Sequence, residues 1–349
     1  MTIIHRPALA QPPVVLSQDD IYDEITRFLG PDFPRLKTVQ RIVRNSGVKS
    51  RAVYRRVEDI LNPPGFGQTQ KDYAEACKDL GKRSVVDALE NAGVDASEID
   101  LLITTSCTGF MIPSIDAWLI PELGFRRDIV RLPVTELGCA AGAVAFSRAH
   151  DYLQAYPDKK VLIVAIETAS LCFQPSDLSM QAIVGALLFG DGATACVVSN
   201  DGPGFEIETT ERYLFEDSWD FMGFDVRDSG FHLVLDKDVP GAVGRQISPV
   251  MQGFLERKGV SPKDLGFFCL HPGGRKLMDK ITEAFELDDN ALIASRECLS
   301  DVGNLSSASI GVVLQKIFDD HTPENNARGF FAAFGPGFSV EMGLGRWRQ

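Results

Sequence analysis

From Tyr73 to Ala92 apolar or small residues recur with helical spacing, at Tyr73, Ala76, Cys77, Leu80, Ala88, Leu89 and Ala92, and Gly93 is placed to end that helix. The pattern then changes to short apolar runs bounded by turn residues or charges, at 100–106, 161–166, 193–198, 266–270 and 329–334. Each run predicts a buried strand. Further helices are predicted over 143–156 and 243–255. Helices alternating with short apolar strands define a layered α/β protein.

The pattern also repeats. Gly93-Val94 leads through a short polar stretch to Asp100-Leu101 and a strand, and Gly259-Val260 leads through Ser261-Pro262-Lys263 to Asp264-Leu265 and a strand. Thr105 and His271 lie equally far beyond their glycines, and Cys139 and Asn304 agree to within one residue. Both Cys139 and Asn304 follow a glycine and precede small residues that open a helical pattern. This register predicts duplicated halves, 1–200 and 201–349, meeting near the Gly/Pro-rich stretch 200–204. Related by a pseudo-twofold axis, the two glycine-led turns would face each other and bring Cys139 and Asn304 to the centre, with His271 beside them.

Composition narrows the function. Of 349 residues 44% are hydrophobic and 24% charged, as in ordinary globular proteins, and the formal net charge of -13 argues against nucleic-acid binding. No uninterrupted apolar run is long enough to span a membrane. Residues 1–11 lack the layout of a secretory signal, which predicts a cytoplasmic protein. The seven cysteines are odd in number and never spaced C-x-x-C, so neither a disulfide framework nor a zinc site is expected.

Candidate chemistry gathers at three places. Cys139, among small residues at a helix start, is a candidate nucleophile whose thiolate the helix terminus would favour; its plain alternative is a tightly packed core helix. His271 leaves a buried strand into Pro272-Gly273-Gly274 and is the best placed of five histidines. Asn304 taken alone reads as a helix cap, and its register with Cys139 argues for more. A Cys–His–Asn set serves either a thiol hydrolase or a decarboxylating condensing enzyme, in which His and Asn stabilise an enolate oxygen. The spacing of papain-like or caspase-like enzymes is absent, and duplicated halves favour condensation.

With Val184–Gly192 (V-G-A-L-L-F-G-D-G), Gly230-Phe231-His232, His271-Pro272-Gly273-Gly274, Gly303–Ser307 and Phe334-Gly335-Pro336-Gly337 added to the Cys139 turn, nearly the whole chain resembles the chalcone synthase-like, type III polyketide synthases. The resemblance implies a thiolase-like fold of two duplicated α/β halves in a five-layered αβαβα arrangement. It also implies a homodimer that loads an acyl-CoA starter on Cys139, extends it with malonyl-CoA, and uses CoA thioesters as substrates with no cofactor. His271 and Asn304 would form the hole for malonyl-CoA decarboxylation, and His271 would keep Cys139 as thiolate. Phe189 and Phe231 match the paired aromatics before the reaction chamber; Thr105, Ser106, Glu167, Ala169, Cys172, Gly185, Met222 and Ser306 match chamber positions. Met111 matches a methionine that reaches into the partner's cavity, and Lys37, Arg41 and Arg44 are the available CoA-phosphate ligands. Ala169, Cys172 and Met222 depart from the plant pattern, and small, apolar Ala169 and Cys172 suit an aliphatic starter, while Phe224 argues against a naphthalene product. The rivals are an initiating ketoacyl-carrier-protein synthase, a thiol hydrolase, and a silent acyl-CoA-binding partner.

Overall fold

A computed structural model describes residues 1–236 and 238–349. Ten strands form one mixed sheet. Along it the order is Phe267–Leu270, Arg328–Gly335, Ser339–Arg348, Gly204–Leu214, Ile3–Ile4, Asp191–Ser199, Val161–Thr168, Leu101–Ser106 and Val130–Thr135, with Ala8–Ala10 added beside Asp191–Ser199. The N-terminal strand Ile3–Ile4 is antiparallel to both neighbours and joins the two halves of the sheet.

Strand side chains alternate between faces, and this alternation builds the layers. Leu101 and Ile103 face one core while Leu102 faces another; Phe267 and Cys269, and Phe331 and Ala333, share the first core, while Phe268, Leu270, Phe330 and Ala332 belong to a third. The shared central core contains the helices Ala141–Ala155 and Ser309–Asp319 between the two halves of the sheet. Outside, Phe66–Ala92 and Asp116–Leu123 cover the first half, and Ser248–Arg257 and Arg275–Ala284 the second. Five layers result. Phe146, Phe205 and Phe331 are fully buried in the centre, each stabilising the fold by about 1.5–3 kcal/mol relative to exposure.

The repeat is present in local detail. Gly93 and Gly259 both end helices with positive φ, 62° and 66°. Each is followed by a short 3₁₀ turn closed by a capping box, Asp95 with Glu98 and Ser261 with Asp264, and then by a buried strand. Two differences from the predicted elements stand out. The first helix starts at Phe66 rather than Tyr73, and the predicted 243–255 helix is divided into Val239–Ala242, a π-helical turn Val243–Ile247, and Ser248–Arg257.

Candidate active site

Two turns meet at the centre. Gly138–Ala140 forms a 3₁₀ turn before the helix Ala141–Ala155, and Ser306–Ala308 forms one before Ser309–Asp319. The glycine before each functional residue holds a positive φ, 51° at Gly138 and 74° at Gly303, which an L side chain would strain. A Cβ on Gly142 would stand 2.2 Å from the Ser307 carbonyl oxygen, so the turns can approach this closely only with glycine there. Gly138 also abuts the Pro336 ring.

The Cys139 Sγ lies 3.4 Å from Ser306 Oγ, to which it donates, and faces a cavity of about 1300 Å³. Burial pushes this thiol up to about 12, the Ser306 hydroxyl opposing and the Glu167 carboxylate reinforcing the shift. Burial thus acts against the thiolate that the helix terminus would favour. A helix-terminal dipole is worth about 0.3–1 kcal/mol, too little to offset desolvation of the sulfur.

His271 extends the buried edge strand Phe267–Leu270, its N–H donating to the Ala332 carbonyl at 2.9 Å. The imidazole is buried, its Nδ1 has no hydrogen-bond partner, and burial lowers its pKa to about 3. Asn304 is pinned on both sides, since its N–H donates to Leu188 O at 2.9 Å and its carbonyl accepts from Gly190 N–H at 3.0 Å. Its Oδ1 accepts from Ser306 N–H at 2.8 Å and Ser309 Oγ at 3.3 Å. Among the described residues no hydrogen bond uses Asn304 Nδ2 or joins Cys139 to His271 or Asn304. The structure sets the three residues on adjoining elements, Cys139 on the cavity lining and the other two outside the set of lining residues.

Of the other expected chamber residues, Ser106, Ala169, Cys172, Gly185, Met222 and Ser306 line the cavity, as do Phe189 and Phe231. Thr105 does not. It shares the central-core face of its strand with Ile103, and its hydroxyl donates to Ser307 Oγ at 3.0 Å. Glu167 is buried outside the lining, accepting from Ser307 Oγ, Thr108 Oγ1 at 2.8 Å and Cys107 N–H at 3.1 Å. Burial raises its pKa against those donors. Met111 packs half-buried against the outer core of the first half, and Lys37, Arg41 and Arg44 are exposed on the helix Leu36–Asn45, away from the cavity lining. Arg44 lies over the Tyr22 ring, 4.9 Å from its centre.

Among the lining residues that the sequence left unassigned are Cys107 and Arg51. Cys107 lines the cavity with its Sγ 3.4 Å from the same Ser306 hydroxyl that receives Cys139. Its signal was its place, directly after the strand end. Arg51 also lines the cavity, and its Nη1 donates to the Phe189 carbonyl at 2.7 Å, while burial lowers its pKa to about 10 against the nearby Asp191.

A thiol on the cavity lining at the meeting point of two duplicated α/β halves is the arrangement of a condensing enzyme of the thiolase-like fold. The chain belongs to the chalcone and stilbene synthase family: residues 7–202 match the family's N-terminal domain and 206–346 its C-terminal domain. It is a type III polyketide synthase, a decarboxylating condensing acyltransferase. It is 38% identical to 1,3,6,8-tetrahydroxynaphthalene synthase of Streptomyces coelicolor, over all of this chain and 93% of that one. It is 36% identical to phloroglucinol synthase of Pseudomonas fluorescens, covering 99% of each. The crystal structure of the S. coelicolor synthase superposes with a TM-score of 0.96 over 99% of both chains.

Proposed function

We propose that the chain condenses malonyl-CoA units by decarboxylation onto an acyl group held as a thioester on Cys139, then cyclises the product to a pyrone, resorcinol or phloroglucinol-type compound. In each round malonyl-CoA loses CO₂, its Cα attacks the Cys139 thioester carbonyl, a C–C bond forms, and the sulfur leaves. The observation that carries this reading is the pairing of duplicated turns at the cavity, with Cys139 on the lining and the unengaged Asn304 Nδ2 and His271 imidazole on the elements adjoining it. Donors fixed before the reaction stabilise an enolate oxygen at no cost in reorganisation. His271 is the base that takes the Cys139 proton to form the thiolate.

The cavity has an apolar arm lined by Ile21, Ile25, Phe28, Ile60 and Leu61, which together with Ala169 and Cys172 favours an aliphatic starter. Lys37, Arg41 and Arg44 would hold the CoA phosphates by charge-assisted hydrogen bonds, and no resident cofactor is required. A homodimer is part of the reading. Val130–Thr135 ends the sheet with one unpaired side, and Val130, Leu137, Phe110 and Ile112 expose apolar surface near it and near Met111. Among the described residues no helix is long and apolar enough to cross a membrane, all seven cysteines are free, and the reading includes a cytoplasmic location.

The test is incubation with malonyl-CoA alone and with acyl-CoAs of increasing chain length, reading products by mass. Extended, cyclised products with CO₂ release are expected, with yield rising for aliphatic starters. Release of free acid without consumption of malonyl-CoA would replace this reading with a thiol hydrolase.

A further inference from the structure

A second set of reactive side chains lies outside the Cys139 centre. The hairpin formed by Met222–Arg227 and Gly230–Leu235 turns through Asp228 and Ser229, leaving Ser229 exposed at its tip. The Ser229 hydroxyl is 2.8 Å from Nε2 of His232, which is buried in the strand that follows. On the other side of the ring, Nδ1 lies 3.5 Å from Asp177 Oδ2. The other carboxylate oxygen of Asp177 accepts from the Ser179 N–H at 3.0 Å, which fixes the carboxylate's orientation. Although partial burial opposes ionisation, the bonds from Ser179 and His232 hold the Asp177 carboxyl below the usual range.

These contacts have the order of a nucleophile, a base and the group that orients the base. Arg227 Nη1 also lies 3.4 Å from His232 Nδ1, while Arg227 Nε donates to Asp225 at 2.7 Å, so Arg227 and Asp177 compete for that ring nitrogen. An ionised Asp177 favours the tautomer with hydrogen on Nδ1. Nε2 is then free to accept the Ser229 proton.

Ser229 lines a separate pocket of about 440 Å³, in the size range of small-molecule sites, while His232 and Asp177 line the 1300 Å³ cavity behind it. Ser229 and Asp228 line it, with Phe66 and Thr69 opposite. Leu61, Phe173, Gln174 and Phe231 line both this pocket and the 1300 Å³ cavity, so the two share a wall. Gln174 is nine-tenths buried, and its Nε2 makes a single long hydrogen bond, 3.5 Å to the Cys172 carbonyl. That nitrogen stands against Gly230, 2.8 Å from where a Cβ would be, and is therefore a donor beside the serine with little other engagement.

We propose that Ser229, His232 and Asp177 form a second catalytic centre, a serine hydrolase site for short-chain acyl esters and thioesters, with Gln174 polarising the carbonyl. Ser229 Oγ attacks the acyl carbonyl as its proton passes to His232 Nε2. The bond to the alcohol or thiol breaks, and the leaving group takes that proton. Water, deprotonated by His232, then cleaves the acyl-serine ester, releasing the carboxylic acid and restoring the Ser229 hydroxyl. The shared wall makes acyl compounds handled in the synthase cavity the natural substrates.

The test uses the full chain carrying Cys139→Ala, which removes the other nucleophile, treated with a fluorophosphonate probe and mapped by peptide mass. An adduct on Ser229 above every other serine is expected, reduced at least about tenfold by Asp177→Asn and by His232→Gln. In the same background p-nitrophenyl acetate hydrolysis should fall about 10²-fold on Ser229→Ala, a change at an exposed turn that leaves the fold intact. Labelling of Ser229 no faster than of other serines, or hydrolysis undiminished by Ser229→Ala, would overturn the proposal, whatever the malonyl-CoA assay gives.

Discussion

The two glycine-led turns come from one ancestral plan, yet they are mounted differently. The strand Val130–Thr135 leads to Cys139 and lies at the sheet's edge, with most of its residues exposed. The corresponding approach to Asn304 is a helix, Ile293–Val302, with Ala294, Ser295, Cys298, Leu299 and Val302 buried. Cys139 ends on the cavity lining, whereas Asn304 sits outside it, clamped through both backbone groups between Leu188 and Gly190. The difference matches two kinds of work. A nucleophile must be reached by substrates and then released, while a hydrogen-bond donor to a developing charge gains from being immobile before the charge appears.

The largest test of this asymmetry is Cys139→Ala. Acyl loading and product formation should fall at least about 10³-fold, as when a sole nucleophile is removed, while the thermal melt stays near that of the parent. Product at parental rates would assign the chemistry to another group. Next comes Asn304→Asp, which keeps the Oδ1 acceptor for Ser306 and Ser309 but loses the Nδ2 donor. CO₂ release from labelled malonyl-CoA should drop about 10²–10³-fold with the melt little changed. Undiminished decarboxylation would leave Asn304 a turn residue. His271→Ala should have a similar effect, and combining the two should cost much less than the product of the single losses.

The resting state of the thiol gives a third comparison. With Cys139 pushed up to about 12, iodoacetamide labelling of the unliganded chain should rise about tenfold per pH unit from pH 7 to 10, because the thiolate is the nucleophile. A plateau already reached at pH 7 would reveal a standing ion pair with His271. The smallest effect concerns stability. Folded His271 stays neutral down to about 3, whereas in the unfolded chain it titrates near 6.5. Between these values the unfolded state binds the extra proton. Stability from this residue is therefore full above pH 6.5 and is lost as pH falls, by about 1.4 kcal/mol per unit. His271→Gln should flatten the urea midpoint against pH between 6.5 and 4; an unchanged slope would mean that the imidazole protonates in the folded chain.

Much of this was legible in the chain. The inner strands read as apolar runs because both faces are covered, and the repeat fixed which glycines correspond. Cys139, His271 and Asn304 were singled out because a duplicated register is hard to imitate by chance, and the fold sets them on adjoining elements. Other features leave no periodic trace. Thr105 was assigned to the chamber, but strand alternation turns it to the central core, while Cys107 enters the cavity from beyond the strand end, where period-two reasoning stops. The first turn of the Phe66–Ala92 helix, Phe66-Gly67-Gln68-Thr69, follows Pro63-Pro64-Gly65 and carries a weak apolar signal. The helix-terminus argument for a thiolate treated Cys139 as exposed; burial, a tertiary property, reverses its direction. Ser229, His232 and Asp177 are too far apart in sequence for spacing to connect all three.

The position of Phe189 has a consequence for motion. Its carbonyl is held by Arg51, and the residues on either side are bonded to Asn304 through Leu188 O and Gly190 N–H. Its backbone cannot swing without breaking the bonds that position Asn304. Any movement at Phe189 is therefore confined to its half-buried ring and needs no loop opening on the microsecond-to-millisecond scale.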